Sequence, residues 1–457
     1  MKLKCISPIN GSVYAERNYH SLKEAQDFIM EARNAQRSWV TKSIQERVEL
    51  VNSAVYELGR MNTQIVPELA WQMGRPIRYS WEFSGVKERA DHMAKIASEG
   101  LAPIEVESST RYKRIVKRVP QGVILVIAPW NYPYMTAINT IAPALIAGNT
   151  VILKHSSQTP LVGERLEQAF SAAGIPKDVF LNLFLDHQTT CDLIASNAFD
   201  FINFTGSVSA GKSIENSASG TFTGLGLELG GKDAAYVMEN ANIDLAVETL
   251  MDASMYNSGQ CCCGIERIYL DKSIYNEFIE KAVDNVAMHK LGDPLDPATT
   301  IGPLAQVRLA NQVRKQIDDA VNSGAKTLID PKLFPKNDGS YLMPQILVNL
   351  DHSMEIMREE SFGPVVGIMA VNSENEAINL INDSKYGLTA SLWTYDVNKA
   401  EKIADQIETG TVFLNRADYL DPALCWTGCK NTGRGGTLSI IGYHNLTRPK
   451  SYHLKIL

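Results

Sequence analysis

Residues 122–129 read GVILVIAP, an unbroken apolar run that ends at Pro129. A run of this kind is typical of a strand buried on both faces of a parallel sheet. The residues just before it, RIVKRVP at 114–120, alternate between polar and apolar and predict a second strand. Farther along, short apolar runs alternate with helical stretches, which predicts βαβ units with binding loops at the carboxyl ends of the strands. These runs are TVILKHS at 150–156, VFLNLF at 179–184 and FINFTG at 201–206.

The same α/β pattern extends in both directions from this region. Residues 21–60 place apolar side chains at helical spacing behind a candidate N-cap, Ser21. From Lys232 a second series of strands, interleaved with helices such as 274–289 and 303–323, predicts a second α/β domain. Its strands are AAYVMEN at 234–240, IERIYLD at 265–271, VVGIMAVN at 365–372, LTASLWTYD at 388–396 and TVFLNRA at 411–417. KSYHLKIL at 450–457 reads as a strand without a partner nearby in the sequence, which indicates pairing at a domain or subunit edge.

Composition bounds the class of protein. The chain has 457 residues, 45% of them hydrophobic, which is typical of two or three domains. Its formal net charge is -7 without a block of Lys and Arg, so we expect neither nucleic acid nor a membrane as a partner. The longest apolar run is too short to span a bilayer and no signal peptide is evident, so we expect a cytoplasmic protein. The seven cysteines are an odd number and three of them are adjacent, which favours reduced thiols over a disulfide framework. No metal site is expected, because Cys425 and Cys429 have the nearest spacing to a metal-binding pair and lack a second pair of ligands.

The centre of the candidate chemistry is Cys262, within NSGQCCCG at 257–264. These small, turn-forming residues precede the strand at 265–271 and place the thiol on an accessible loop. A lone cysteine is more often a small buried core residue. The functional interpretation therefore depends on the other motifs.

Several motifs supply groups that a thiol nucleophile and a dinucleotide need. Glu228 lies in the apolar segment LELGGKD at 227–233, where burial would raise its pKa and suit it to general base catalysis. Asn131 follows the strand at 122–129, where its amide could donate to an oxyanion. FTGSVSAGK at 204–212 ends a strand and begins a helix, whose free backbone N–H groups suit a pyrophosphate. Lys154 lies at the carboxyl end of another strand, where a cation can reach a ribose or a phosphate. In EESFGP at 359–364, Glu360 could bind ribose hydroxyls and Phe362 could pack on a nicotinamide ring. Each motif alone is compatible with an ordinary turn or loop, and no GxGxxG fingerprint occurs.

Taken together and in this order, the motifs resemble the aldehyde dehydrogenase superfamily, in particular its NAD(P)-dependent, non-acylating members. The motifs are APWNYP, TVILKHSSQTPL, FTGSVSAGK, LELGGKD, NSGQCCC, EESFGPV and YGLTASLWTYD, and they cover nearly the whole chain. The resemblance implies an α/β fold with a Rossmann-like cofactor-binding domain at 1–106 and 122–229, a catalytic domain at 230–436, and a small β oligomerisation arm at 107–121 and 437–457. It also implies a homodimer or homotetramer, NAD or NADP as cofactor, and a small-molecule aldehyde as substrate.

The resemblance further implies roles for single residues. Cys262, the second residue after the glutamine of GQxC, matches the nucleophile, Glu228 matches the base that activates water, and Asn131 matches the oxyanion donor. Oxidation of the aldehyde to the acid would pass through a thiohemiacetal and a thioester on Cys262. Cofactor contacts are implied for Pro129, Trp130, Lys154, Ser156, Ser157, Thr205, Gly206, Ser207, Leu229, Glu360 and Phe362.

Departures from the family pattern bear on specificity. Ser157 stands where a glutamate often grips the ribose 2′-hydroxyl, so we expect NADP to be accepted, with or without NAD. Members that take succinic semialdehyde usually carry arginines at the positions of Tyr256 and Asn139, which leaves a distal carboxylate without an evident partner here. Succinic semialdehyde is therefore not the first expectation. Tyr256, Tyr132 and Met135 indicate a pocket for an apolar or aromatic aldehyde, or simply core packing, and semialdehydes stay open.

Three alternatives accompany this interpretation. An acylating dehydrogenase would pass its thioester to coenzyme A, but such an enzyme has no need of a base at Glu228. A non-catalytic scaffold could keep the fold without turnover, although the nucleophile and the base are both present. Cys261 and Cys263 could oxidise reversibly with Cys262, or they could merely fill small spaces in the loop.

Overall fold

A computed structural model describes residues 2–334 and 338–457. Within these residues the strands are β1 (Lys2–Ile6), β2 (Val13–Asn18), β3 (Ile104–Glu105), β4 (Tyr112–Pro120), β5 (Val123–Ala128), β6 (Thr150–His155), β7 (Phe180–Asn182), β8 (Phe201–Thr205), β9 (Gly224–Glu228), β10 (Asp233–Val237), β11 (Ile265–Asp271), β12 (Lys326–Thr327), β13 (Gln345–Val348), β14 (Val365–Val371), β15 (Tyr386–Gly387), β16 (Thr389–Trp393), β17 (Thr411–Leu414), β18 (Cys429–Lys430), β19 (Gly433–Arg434) and β20 (Thr447–Lys455). The α-helices are α1 (Leu22–Trp39), α2 (Ile44–Arg60), α3 (Asn62–Met73), α4 (Glu82–Gly100), α5 (Pro133–Ile146), α6 (Pro160–Ala172), α7 (His187–Ala195), α8 (Val208–Ala218), α9 (Ile243–Met255), α10 (Tyr275–Ala287), α11 (Val307–Asn322), α12 (Glu355–Arg358), α13 (Glu374–Asn382), α14 (Val397–Ala404) and α15 (Ser439–Asn445). A short 3₁₀ helix spans Pro331–Leu333, and Tyr256–Gly259 forms a tight turn with left-handed backbone at Asn257 and Ser258.

The first sheet has the strand order β19-β9-β8-β5-β6-β7. Strands β5 to β9 pair in parallel, and the short β19 runs antiparallel at the edge. The run at 122–129 thus supplies a central strand, as predicted, and β5 is buried along its whole length. Ile124 and Val126 pack into one hydrophobic core while Val123 and Leu125 pack into another, so both faces of the sheet are covered. Each such fully buried side chain stabilises the fold by about 1.5–3 kcal/mol.

The strand order of this sheet reverses between β5 and β8, because the chain first adds β6 and β7 on one side and later β8 and β9 on the other. In open α/β sheets the crevice outside the carboxyl ends of the strands at such a point binds ligands. Asn131 lies just beyond β5, and Gly206 lies just beyond β8. The arrangement is Rossmann-like, which confirms the predicted fold class.

The second sheet has the order β12-β13-β14-β11-β10-β16-β17. Its strands are parallel apart from the edge strand β12, which pairs antiparallel with β13. Tyr236 and Tyr269 face one core, and Val237 and Ile268 face the other. The second series of predicted strands therefore forms a second α/β sheet, with a hydrophobic core on each face.

A third sheet, β20-β4-β3, is antiparallel. β20 pairs with β4 along its whole length, from Thr447 opposite Pro120 to Lys455 opposite Tyr112. The predicted C-terminal strand therefore finds its partner in a distant part of the same chain. The segments predicted as an oligomerisation arm contain both of these strands.

The predicted helical region at 21–60 consists of two helices, α1 and α2. Each begins with a capping box, formed by Ser21 with Glu24 and by Ser43 with Glu46, so the second box starts a new helix. The helix predicted from residue 303 begins later, at Val307, because Gln306 has an extended backbone. Among the described residues, no helix has the length and apolar character needed to cross a membrane.

Candidate active site

The fourteen residues predicted for catalysis and cofactor binding all line one cavity of about 940 Å³. This volume falls within the range of pockets that bind small molecules. Loops from the two large sheets meet there: Asn131 follows β5, Cys262 precedes β11, and Glu360 precedes β14. Motifs that are far apart in the sequence are thus brought to one place.

The loop before Cys262 has a strained backbone. Asn257, Ser258 and Gly259 have φ values of 53°, 58° and 69°, in the left-handed region that residues other than glycine rarely occupy. Asn257 and Ser258 are fully buried, and Ser258 Oγ donates to the carbonyl oxygen of Gly302 at 2.9 Å. A Cβ atom on Gly259 would lie 2.1 Å from the carbonyl oxygen of Gly363. The surrounding structure therefore imposes the loop conformation that carries Cys262.

The side chain of Gln260 stabilises this loop with two hydrogen bonds. Its Nε2 donates to the carbonyl oxygen of Asn257 at 3.0 Å, and its Oε1 accepts from the backbone N–H of Ala305 at 2.8 Å. Its own carbonyl oxygen accepts from Nδ2 of Asn131 at 3.3 Å. One amide hydrogen of Asn131 is thus bonded to the loop that carries Cys262, and the other has no acceptor among the described residues.

A buried ion pair fixes Asn131 from the other side. The guanidinium of Arg75 pairs with the carboxylate of Glu82, and it also donates to the carbonyl oxygen of Asn131. Nε of Arg75 donates to Oδ1 of Asn257 at 3.2 Å, and Glu82 accepts from the backbone N–H of Tyr134 at 2.9 Å. Because both charges are paired and hydrogen-bonded, the network holds the turn after β5 against the loop that carries Cys262.

Cys262 is half-buried between two buried cysteines, Cys261 and Cys263. Hydrogen bonds from these two thiols and from nearby backbone N–H groups lower the pKa of Cys262, against the opposing effect of burial, and favour the thiolate. The same two sulfur atoms lie 3.1 and 2.9 Å from Oδ1 of Asp418. Each thiol has one proton, so Asp418 competes with Cys262 for it. Burial raises the pKa of Asp418 to about 6.

Glu228 closes β9 and is 9% exposed. Burial raises its pKa to about 7, as predicted from the apolar segment around it. Two hydroxyl groups oppose this shift by donating to the carboxylate: Thr437 Oγ1 lies 2.6 Å from Oε1, and Thr205 Oγ1 lies 3.1 Å from Oε2. A carboxyl group with this pKa can take up and release protons near neutral pH.

The crevice beyond β5, β6 and β8 forms the end of the cavity at which the sequence predicts cofactor contacts. Lys154 is 8% exposed, and no carboxylate lies within ion-pair distance of it among the described residues. Ser207 caps α8, its Oγ accepting from the backbone N–H of Ala210 at 3.3 Å. The predicted Ser157 lines the same cavity, and so does His187, which the motifs did not predict. The positive charge of Lys154 lowers the pKa of His187, so this end of the cavity is electropositive.

Glu360 and Phe362 lie on a loop that a second buried ion pair fixes. Lys232 pairs with Glu266 and donates to Oγ of Ser361 at 3.1 Å. Glu266 also accepts from the backbone N–H of Phe362 at 2.9 Å. The ring of Phe362 meets that of Trp130 edge to face, with centroids 5.6 Å apart. Glu360 accepts from the backbone N–H of Gly231 at 3.1 Å, and burial raises its pKa to about 8.

Three further residues around the cavity were not predicted from the sequence. Arg89 of α4 donates to Oδ1 of Asn139 at 3.2 Å, Thr437 donates to Glu228, and Asp418 accepts from the thiols beside Cys262. Their partners are distant in the sequence, so no local pattern marks them. Arg89 in particular reads as an ordinary solvated residue of an amphipathic helix.

Comparison with known proteins places this geometry in a family. The sequence model of the aldehyde dehydrogenase family matches residues 1–452 of the chain. The chain is 33% identical to an aldehyde dehydrogenase of Paenarthrobacter nicotinovorans, over 99% of each chain. It is 30% identical to a succinate-semialdehyde dehydrogenase (NADP(+)) of Deinococcus radiodurans, over 97% of this chain and 93% of that protein. Its structure resembles that of succinic semialdehyde dehydrogenase from Streptococcus pyogenes in complex with NADP+, with a TM-score of 0.94 and 29% identity, over 99% of this chain and 100% of that one. The chain therefore belongs to the aldehyde dehydrogenase family and is an oxidoreductase.

Proposed function

We propose that this protein oxidises an aldehyde to a carboxylic acid with NAD or NADP, through a covalent adduct on Cys262 that water activated by Glu228 hydrolyses. The observation that supports this most strongly is the shared cavity. Cys262 with a lowered pKa, Glu228 with a pKa of about 7, and Asn131 with a free amide N–H all line it. These are the nucleophile, the base and the oxyanion donor that the reaction needs.

The first half of the reaction takes place at Cys262. Its thiolate attacks the aldehyde carbon, and a carbon–sulfur bond forms as the carbonyl oxygen becomes an oxyanion. The free amide N–H of Asn131 and the backbone N–H of Cys262 donate to that oxyanion. The buried network of Arg75 and Glu82 keeps Asn131 in place, so little reorganisation is required when the charge develops.

The second half depends on Glu228. The chemistry that the cofactor supplies is hydride acceptance, which turns the adduct on Cys262 into a thioester. Glu228 then removes a proton from water as the water oxygen attacks the thioester carbon, and the carbon–sulfur bond breaks to restore the thiolate. Thr205 and Thr437 hold both carboxylate oxygens and so orient the base. Because Glu228 activates water, hydrolysis is favoured over transfer to coenzyme A.

The crevice residues fit a dinucleotide. The free N–H groups at the start of α8 suit a pyrophosphate, Lys154 offers a buried cation, and the Trp130 and Phe362 rings offer an apolar surface to a nicotinamide. Ser157 places no negative charge beside a ribose 2′-phosphate, and Lys154 adds positive potential that also lowers the pKa of the neighbouring His187. NADP is therefore accepted, in line with the NADP-dependent relatives. A kcat/KM for NADP below one hundredth of that for NAD would contradict this.

The wider organisation follows the family resemblance. The cofactor-binding domain comprises 1–106 and 122–229, the catalytic domain 230–436, and the arm 107–121 and 437–457. The arm exposes large apolar side chains, including Tyr112, Leu454 and Ile456, which suits burial in a homodimer or homotetramer. All seven cysteines are free thiols, which fits a cytoplasmic location. Light scattering of the purified protein would measure the assembly.

A panel of aliphatic, aromatic and acidic aldehydes with both cofactors tests the proposed function. We expect NAD(P)H formation by the wild type and none by Cys262→Ala, with Cys425→Ala as a matched control that keeps its activity. Acid as the product in the absence of coenzyme A would favour hydrolysis, and a product that appears only with coenzyme A would favour the acylating alternative. Absence of NAD(P)H formation across the panel would favour a non-catalytic scaffold.

A further inference from the structure

Arg89 is a buried cation in the wall of the active-site cavity. It projects from α4, is 7% exposed, and lines the same cavity as Cys262. Its Nη1 donates to the carbonyl oxygen of Met135 at 3.0 Å and to Oδ1 of Asn139 at 3.2 Å. Both acceptors are neutral. Among the described residues, its Nε and Nη2 have no acceptor, and no carboxylate lies within 4.0 Å of its guanidinium.

The other buried arginines are satisfied by the protein itself. Arg75 pairs with Glu82. Arg47 donates to three backbone carbonyl groups, and Arg267 spreads its donors over three carbonyl groups and the hydroxyl of Tyr269. Among these four arginines, only Arg89 donates hydrogen bonds through a single nitrogen atom. Its other N–H groups remain available at the wall of the cavity. Since an unpaired buried charge is costly, a fork left open in a binding cavity calls for an anionic ligand.

The charges of Glu82, Cys262 and Glu228 favour the charged form of Arg89 from a distance, but none of the acidic groups lining the cavity lies within ion-pair distance of it among the described residues. Glu360 accepts from the backbone N–H of Gly231. Glu228 accepts from Thr205 and Thr437, and Asp418 accepts from the neighbouring thiols. Glu88 is exposed and accepts from the hydroxyl of Tyr419, and Asp252 is exposed. The fixed anions are thus used within the protein, whereas the guanidinium is available.

We propose that Arg89 binds a carboxylate at the far end of the substrate, so that the preferred aldehydes are short oxo acids with the aldehyde at one end and a carboxylate at the other. This inference rests on the proposed function and names its substrate class. A guanidinium presents two parallel N–H donors to the two oxygens of a carboxylate. Asn139 orients the fork by accepting from Nη1, and the aldehyde carbon is then directed to Cys262. Arg89 of α4 therefore lies next to Asn139, the position at which the sequence alone shows no partner for a distal carboxylate of the substrate.

A pair of substrates of equal carbon number tests this assignment. Succinic semialdehyde and butanal both have four carbons and differ in the distal carboxylate. We expect the wild type to prefer succinic semialdehyde in kcat/KM, and Arg89→Met to raise KM for succinic semialdehyde by about 10- to 100-fold, the equivalent of losing a charged hydrogen bond. Butanal kinetics should change little. Arg89→Lys should keep part of the preference. Arg416→Met, which removes an exposed arginine that stacks on the ring of Tyr419, should keep all of it.

Two kinetic results would overturn the assignment. One is a wild type that prefers butanal, and the other is an Arg89→Met variant that loses both activities equally, as expected if Arg89 only supports the thiolate or the fold. Calorimetric binding of succinate separates this inference from the proposed function because it needs no turnover. If succinate binds the wild type but not Arg89→Met, the carboxylate site is supported even if no aldehyde is oxidised. Undiminished binding of succinate by Arg89→Met, or no binding by the wild type, contradicts the carboxylate site.

Discussion

Replacing Thr437 by valine removes the shorter of the two hydrogen bonds that hold the Glu228 carboxylate. Thr437 is buried, and its hydroxyl lies 2.6 Å from Oε1 of Glu228. Valine has nearly the same shape, so the packing should survive. The lost donor stabilises only the ionised carboxylate, and we therefore expect the pKa of Glu228 to rise from about 7.

The size of the effect follows from the strength of that bond. A hydrogen bond to a charged group contributes about 1.5–3 kcal/mol, and about 1.4 kcal/mol corresponds to one pKa unit. With the lower figure, the pKa of Glu228 rises to about 8, and its ionised fraction at pH 7 falls from about one half to about one tenth. Water is activated only by the ionised form. Hydrolysis of the thioester should thus slow by about fivefold at pH 7 and recover by pH 9.

Esterase kinetics measure this step without a cofactor. With p-nitrophenyl acetate, the initial burst reports acylation of Cys262 and the later steady rate reports hydrolysis by Glu228. The pH profile of the steady rate should move upwards in Thr437→Val, with a smaller shift in Thr205→Val, whose hydroxyl lies 3.1 Å away. Thr150→Val is the matched control, because Thr150 is fully buried and its hydroxyl has no partner in the described part of the chain. An unchanged profile in Thr437→Val would refute the reasoning.

Other substitutions probe the nucleophile loop. Asp418→Asn removes a charge and a strong acceptor of the Cys261 and Cys263 protons, so the pKa of Cys262 should fall, and the pH profile of inactivation by iodoacetamide should shift to lower pH. An upward shift would show that Asp418 supports the thiolate. Gly259→Ala places a methyl group against Gly363 at a φ of 69°, so kcat should fall by more than tenfold and the melting midpoint should drop. Wild-type values of both would show that the loop conformation is not required.

The sequence predicts the strands around the site well because they are buried on both faces. β5 and β8 stand out as apolar runs, and their carboxyl ends lie where βαβ topology places a binding crevice. The boundary between α1 and α2 could also have been read from the sequence, since Ser43 and Glu46 form a capping box. Local rules therefore suffice where local interactions decide the structure.

Contacts between distant segments escape such rules. β20 pairs with β4, and Thr437 donates to Glu228, although each pair is far apart in the chain. Arg89 carries no local sign that its guanidinium turns inward to meet Asn139. The positions proposed for the nucleophile, the base and the oxyanion donor could be matched through family resemblance. The groups that contact them become visible only in three dimensions.

Mass spectrometry of a trapped intermediate tests the central claim most directly. Glu228→Gln removes the base but keeps the thiol, so an aldehyde and NAD(P) should leave the enzyme acylated, with one NAD(P)H formed per site and little further turnover. Peptide mapping of the quenched protein should then find the acyl group on Cys262. An acyl group on Cys261 or Cys263 instead, or full turnover without any adduct, would contradict the account.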